Sequence, residues 1–311
     1  MRADVLARMQ LVMGDLPDPS RRVPLDLQVV EEVREEGILR QRVTFATEPG
    51  DRCWAWLLIP QARRESRAVR GPAMLCLHQT TAIGKDEPAG LGGLPNLHYA
   101  RELARRGYVT LSPDYPGFGQ SKVDPYALGY ASATMKGIWN HLRATDLLAS
   151  LPEVDPERIG CIGHSLGGHN TLFLAAFDPR IKGAVSSCGF TRATWNDGEG
   201  RGKSGDLTDW SHAGYIPRIA SQYHCRAENL PWDFPDVLAV IAPRALFINA
   251  PLKDLFQHEG VSECVELVRP AYDRAGVPDN LVCHHPDCAH DFPPEIREAA
   301  YRFVDRVLGC A

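Results

Sequence analysis

The stretch Arg158-Ile159-Gly160-Cys161-Ile162-Gly163-His164-Ser165-Leu166-Gly167-Gly168-His169 decides how the rest of the chain is read. Its first half is a short apolar run suited to a buried strand. It continues as Asn170-Thr171-Leu172-Phe173-Leu174-Ala175-Ala176-Phe177, a run suited to a buried helix. Between the two lies one serine with a glycine on either side, a Gly-x-Ser-x-Gly turn in a strand–turn–helix setting. A turn this sharp leaves no room for side chains at Gly163 and Gly167, and it holds the serine in a strained backbone conformation. The strain aims the Ser165 hydroxyl into open space, beside the positive end of the following helix. A serine presented in this way is a candidate nucleophile.

Working outward, the N-terminal segment places Val5, Leu6, Met9 and Val12 at helical spacing, which predicts an amphipathic helix over 3–13. Apolar runs at 25–30, 38–45 and 53–60 are separated by the turn-formers Glu36-Gly37 and Pro49-Gly50-Asp51, which predicts an antiparallel meander. A charged loop follows at 63–70, its densest part Arg63-Arg64-Glu65-Ser66-Arg67. Beyond it the pattern alternates: strands at 73–78 and 108–112, helices at 97–106 and 133–151, then the Ser165 unit. It goes on with strands at 181–186, 245–250 and near 280–283, and helices at 261–275 and 294–308. This alternation predicts an α/β fold with a mostly parallel central sheet, an antiparallel N-terminal edge and helices on both faces. The reading is one domain over 1–311, with 1–60 forming the N-terminal helix and edge strands. Residues from Cys188 to about Pro235 show no period, yet they carry Phe190, Trp195, Trp210, Tyr215, Tyr223, Trp232 and Phe234. That aromatic content argues against disorder and for a cap-like insertion over the active site.

The 311 residues are 44% hydrophobic and 23% charged, with a formal net charge of -5, so no basic surface for nucleic acid is expected. The charged, interrupted N-terminus lacks the apolar core of a signal peptide, and no apolar stretch reaches the length of a membrane span. A cytoplasmic protein without a membrane partner is therefore expected. The nine cysteines form no framework and read as free thiols.

A serine hydroxyl needs a base within hydrogen-bond reach, and the base needs an orienting acid. In a strand–elbow–helix fold of this kind the three follow in the order Ser, acid, His. His290, in Asp287-Cys288-Ala289-His290-Asp291-Phe292-Pro293-Pro294 just ahead of the closing helix, fits the base better than His258, His284 or His285. Asp254, in the loop after the strand at 245–250, fits the acid better than Glu259, Asp287 or Asp291. The run Cys283-His284-His285-Pro286-Asp287-Cys288-Ala289-His290 also has the composition of a metal cluster, but it lacks a second Cys/His pair at finger spacing. No metal and no cofactor are expected. Oxyanion donors are expected from the N–H of Leu166 and of Gln79, with Thr80 as the neighbouring choice. His78, Thr80, Tyr115, Phe118, His164, Trp195, Trp210 and Trp232 are the expected pocket residues.

The chain resembles α/β-hydrolases of the dienelactone hydrolase and acetyl xylan esterase-like group. Leu77-His78-Gln79-Thr80, the loop from Asp114 to Ser121, Gly163-His164-Ser165-Leu166-Gly167-Gly168, Val240-Ile241-Ala242-Pro243-Arg244-Ala245-Leu246 and Ala289-His290-Asp291-Phe292 carry the resemblance. It departs from dienelactone hydrolases proper in having Ser165 where those resemble cysteine-nucleophile enzymes. The resemblance implies a serine esterase acting on a small-molecule ester, an acetylated sugar among the candidates, with amide or lactone cleavage by the same residues and non-catalytic ligand binding as alternatives. It also implies a homo-oligomer.

Overall fold

In the computed structural model, residues 2–65, 70–197 and 203–310 are described. The strands are β1 (Gln28–Glu35), β2 (Ile38–Glu48), β3 (Asp51–Pro60), β4 (Gly71–Leu77), β5 (Val109–Pro113), β6 (Val154–His164), β7 (Ile181–Ser187), β8 (Ala245–Asn249) and β9 (Leu281–His284). The helices are α1 (Arg2–Met13), α2 (Gln61–Glu65), α3 (Tyr99–Arg105), α4 (Ala133–Ser150), α5 (Leu166–Phe177), α6 (Arg218–Tyr223), α7 (Phe234–Ile241), α8 (His258–Arg274) and α9 (Pro294–Leu308). Among the described residues the nine strands form one sheet in the order β1-β2-β3-β5-β4-β6-β7-β8-β9. The pairs from β1 to β5 are antiparallel, and from β5 onward every pair is parallel.

The parallel strands are buried on both faces, so they read as continuous apolar runs. Strand β4 shows why two cores result. Ala73, Leu75 and Leu77 join the core packed by α1, α4, α5, α7 and α8, while Met74 and Cys76 join the core packed by α3 and α9. Strand β1 is the exception, largely solvent-exposed at the sheet edge.

The predicted elements differ from the structure in two places, while a third stretch, expected without a period, is irregular. The start of the charged loop is the short helix α2, and its Ser66 and Arg67 lie outside the described residues. Helix α7, closed by a capping box in which Asp233 and Asp236 exchange backbone N–H bonds, falls in a run expected only to lead into a strand. The stretch 188–235 is built from short turns and α6, with 198–202 outside the described residues.

Candidate active site

The site is assembled at the carboxyl ends of the parallel strands. Ser165 follows β6 with φ 52° and ψ -120°, and α5 starts at the next residue. The glycines beside it are required by contact. A Cβ on Gly167 would lie 2.0 Å from the Leu77 carbonyl oxygen, and one on Gly163 would lie 2.3 Å from the carbonyl of Gly167. The Ser165 N–H donates to the Ser187 carbonyl (2.8 Å), which pins the strained residue to β7. Among the described residues none accepts a hydrogen bond from the N–H of Leu166 or of Gln79. At Leu166 this is the usual state of the first turn of a helix.

Asp254 and His290, 36 residues apart in the chain, meet with Nδ1 of His290 2.6 Å from Oδ1 of Asp254. A carboxylate only accepts, so Nδ1 carries the proton and Nε2 is left as the basic nitrogen. The Asp254 side chain is fully buried, whereas His290 is about a quarter exposed. The His290 ring lies 4.7 Å from that of His164 and 6.1 Å from that of Phe256. Phe256 lines the same small cavity as Ser165. The cavity measures about 60 Å³ and is completed by Leu166, His169, Trp210, Tyr215 and Ile216.

A row of residues at matched register stands behind the site: His164 pairs with Ser187 across β6 and β7, and Ser187 with Asn249 across β7 and β8. His164 Nδ1 lies 2.9 Å from the Ser187 hydroxyl. Asn249 donates to that same hydroxyl and to the Asp291 carbonyl, both at 2.9 Å, which ties the loop carrying His290 to the sheet. Burial, and then the neighbouring His290, hold His164 neutral with its pKa well below the usual range. His169 is likewise pushed down to about 3 by burial. Cys188, at φ 49°, is buried beside Asp254, and burial followed by that carboxylate raises its thiol pKa well above the ordinary value.

Of the expected pocket residues, only Trp210 lines the cavity; Leu166, expected as an oxyanion donor, lines it as well. Thr80 stands at its border, its hydroxyl 2.8 Å from that of Tyr215. His78 is buried and structural. It donates to the Gln79 carbonyl (2.6 Å) and accepts from the Tyr115 N–H (2.9 Å), joining two loops. Tyr115 and Phe118 pack behind Leu166 rather than into the cavity. His164 lies beneath His290. Trp232 belongs to the core against Phe173 and Phe234, and Trp195 packs over Gly260 of α8. Trp232 is core and Trp195 is half-buried under Lys203, where the sequence suggested pocket, because aromatic content does not distinguish these settings. The reading missed His169, Tyr215, Ile216 and Phe256. Two of these carried a signal: His169 lies one helical turn after Ser165, and Phe256 two residues after Asp254. His285 is structural, donating to the Ala250 carbonyl at 2.8 Å.

The sheet order and the serine at the elbow give the chain the α/β-hydrolase fold. The family described as "Glucuronyl esterase, fungi" matches residues 126–276, just under half of the chain. Over 99% of its length the chain is 26% identical to all of YtaP of Bacillus subtilis, whose name says hydrolase and no more. It is 25% identical to a 4-O-methyl-glucuronoyl methylesterase of Schizophyllum commune over 57% of this chain and 48% of that one. Among solved structures, a glucuronoyl esterase from Solibacter usitatus matches with a TM-score of 0.75 at 17% identity, covering 98% of this chain and 91% of that one. Acetyl xylan esterase 1 from Thermoanaerobacterium sp. matches with a TM-score of 0.59 at 17% identity, covering 99% and 93%. Among the described residues, no helix is long and apolar enough to cross a membrane.

Proposed function

We propose that this chain cleaves a carboxylic ester of a small molecule, an acetylated sugar being the best-fitting class, through Ser165, His290 and Asp254. The observation that carries the reading is the 2.6 Å contact between His290 and buried Asp254, beside a serine in the strained elbow conformation. Ser165 attacks the ester carbonyl while His290 Nε2 takes its proton. The N–H groups of Leu166 and Gln79 receive the charge that develops on the carbonyl oxygen. His290 then returns the proton to the departing alcohol, leaving an acyl-enzyme. A water activated by the same imidazole releases the acid. Asp254 holds the imidazole in the tautomer that both steps require.

The cavity beside Ser165 supports a short, uncharged acyl group. Among the described residues its walls are Leu166, Trp210, Tyr215, Ile216, Phe256 and the neutral imidazole of His169, so none of these offers a cation to an acid group, and about 60 Å³ suits a small acyl group better than a sugar ring. The alcohol part lies outside, toward Thr80 and the open side of His290. The match to a glucuronoyl esterase family motivates a second reading, in which the sugar supplies the acid of the ester and lies in the outer cleft.

Turnover of acetylated sugars and of methyl glucuronate should be compared with fluorophosphonate labelling of wild type and Ser165→Ala. Labelling lost in Ser165→Ala, with acetyl esters preferred, is the expected result. Labelling that persists in the variant overturns the role of Ser165, and preference for the glucuronate ester favours the second reading.

A further inference from the structure

The donor atoms of His164, Cys188 and His290 all lie within 4.8 Å of one another at the base of the active site. Two of these residues are almost wholly buried, and the third is the proposed catalytic base. His164 Nε2 is a buried polar atom with no hydrogen-bond partner among the described residues. The opposite nitrogen explains its state. The Ser187 hydroxyl receives Asn249 at 2.9 Å and lies 2.9 Å from His164 Nδ1, with Cys188 Sγ 3.8 Å away as the outlet for its own proton. With the Ser187 hydroxyl turned to Cys188, Nδ1 carries the hydrogen and Nε2 presents a lone pair to the cluster, the tautomer that binding of a cation selects. An imidazole whose far N–H is held by an oxygen is the usual posture of a histidine that ligates a metal.

We propose that His164, Cys188 and His290 form a binding site for a thiophilic divalent cation, Zn²⁺ or its softer analogue Cd²⁺, and that its occupation switches the hydrolase off. One sulfur and two nitrogens are a donor set that suits Zn²⁺ in tetrahedral coordination, with a fourth position open to water. Closing from 4.8 Å to ligand spacing asks for a small movement of His290, the most exposed of the three. On binding, the Cys188 S–H bond breaks, the sulfur–metal bond forms and the proton leaves to solvent. The ion occupies His290 at either nitrogen, so it takes Nε2 from Ser165 or Nδ1 from Asp254. Both outcomes disable the base. Loss of activity rests on the proposed role of His290, whereas metal binding does not.

The test uses the full chain with Zn²⁺ or Cd²⁺ as the probe. Hydrolysis of a chromogenic acetate ester should fall on addition of the ion and return with chelator. In Cys188→Ser the inhibitory concentration, measured against that variant's own activity, should rise by about a hundredfold or more. Cys283→Ser, which alters the neighbouring Cys283–His285 pair, should leave it in place. Ser165→Ala should still show a 1:1 thiolate-to-Cd²⁺ charge-transfer band in the ultraviolet, and this does not depend on ester chemistry. Should Cys188→Ser not fold, cadmium NMR of Ser165→Ala decides the matter: a shift reporting one sulfur and two nitrogens supports the site, and an all-oxygen shift overturns it. Equal inhibition of wild type and Cys188→Ser, or no band in Ser165→Ala, also overturns it. A band that disappears in Ser165→Ala/Cys188→Ser, without inhibition of the wild type, upholds the site and refutes the role given to His290, and a band that persists in that double variant overturns the site.

Discussion

Replacing Trp210 with alanine removes the indole that closes one side of the cavity beside Ser165, where it packs edge-on against His169 (4.4 Å) and Phe256 (6.1 Å). With the indole in place, a cavity of about 60 Å³ holds an acetyl group and leaves the methylenes of a longer chain against solvent or in collision with the wall. Each methylene that gains a buried place contributes about 0.8 kcal/mol. A butanoyl ester carries two more than an acetyl ester, so Trp210→Ala should shift the butanoyl-to-acetyl ratio of kcat/KM by about 1.6 kcal/mol, roughly fifteenfold. The assay is kcat/KM on p-nitrophenyl acetate, butanoate and hexanoate. A thermal melt alongside it separates the change in preference from lost packing. The ratio is internal to each variant, so a partly unfolded preparation does not alter it. A wild type that prefers hexanoate, or a variant with an unchanged ratio, refutes the placement of the acyl group in this cavity.

Asp254→Asn should lower kcat by on the order of a thousandfold or more while the fold persists, because an amide at that position also stabilises the wrong His290 tautomer; fluorophosphonate labelling rates and circular dichroism check both halves. Lys136→Met should destabilise the chain by about 3–5 kcal/mol in denaturant titration, since Lys136 lies buried against Glu48 (2.7 Å) and Asp51 (2.6 Å) and its loss leaves Asp51 without a cation and Glu48 with Arg21 alone. Acid should weaken the fold through His141 and His169, whose pKa values burial pushes down to about 3. Between about pH 6.5 and pH 3 the unfolded chain binds protons that the folded chain refuses. Stability therefore falls as pH drops, by up to ~1.4 kcal/mol per pH unit for each imidazole. Melting curves of wild type and His141→Gln across this range should differ in slope, and parallel curves would contradict the assignment.

The parts of the site that depend on local rules were legible in the sequence. Gly163 and Gly167 announced the elbow because their missing side chains are a local steric demand. Asp254 and His290 followed from chain order, since a parallel sheet places successive strand-end loops side by side. The cavity wall was not legible. Tyr215 and Ile216 reach Ser165 only because an irregular segment crosses the strand ends, and no period in the sequence encodes that crossing. Trp232 misled for the same reason, as burial in a core and exposure to a substrate select the same side chains. Ser187 and Asn249 were passed over although each ends a parallel strand. Their role appears only once the register sets them in one row with His164.

Strand β1 bears on how copies of this chain meet. A free strand edge is an open template for another strand, and this sheet has one at each end. At β1 the edge carries Glu31, Glu32, Arg34 and Glu35, with Glu31 engaged by Arg42 and Glu35 by Arg40 of β2. At the other end β9 is only four residues long. A second copy offering its own β1 in antiparallel register would bring glutamates against glutamates, so charge opposes strand pairing at one end and brevity limits it at the other. Changing Glu31 and Glu32 to threonine would leave the hydrolytic site untouched and turn that edge into a surface on which copies can pair strand to strand.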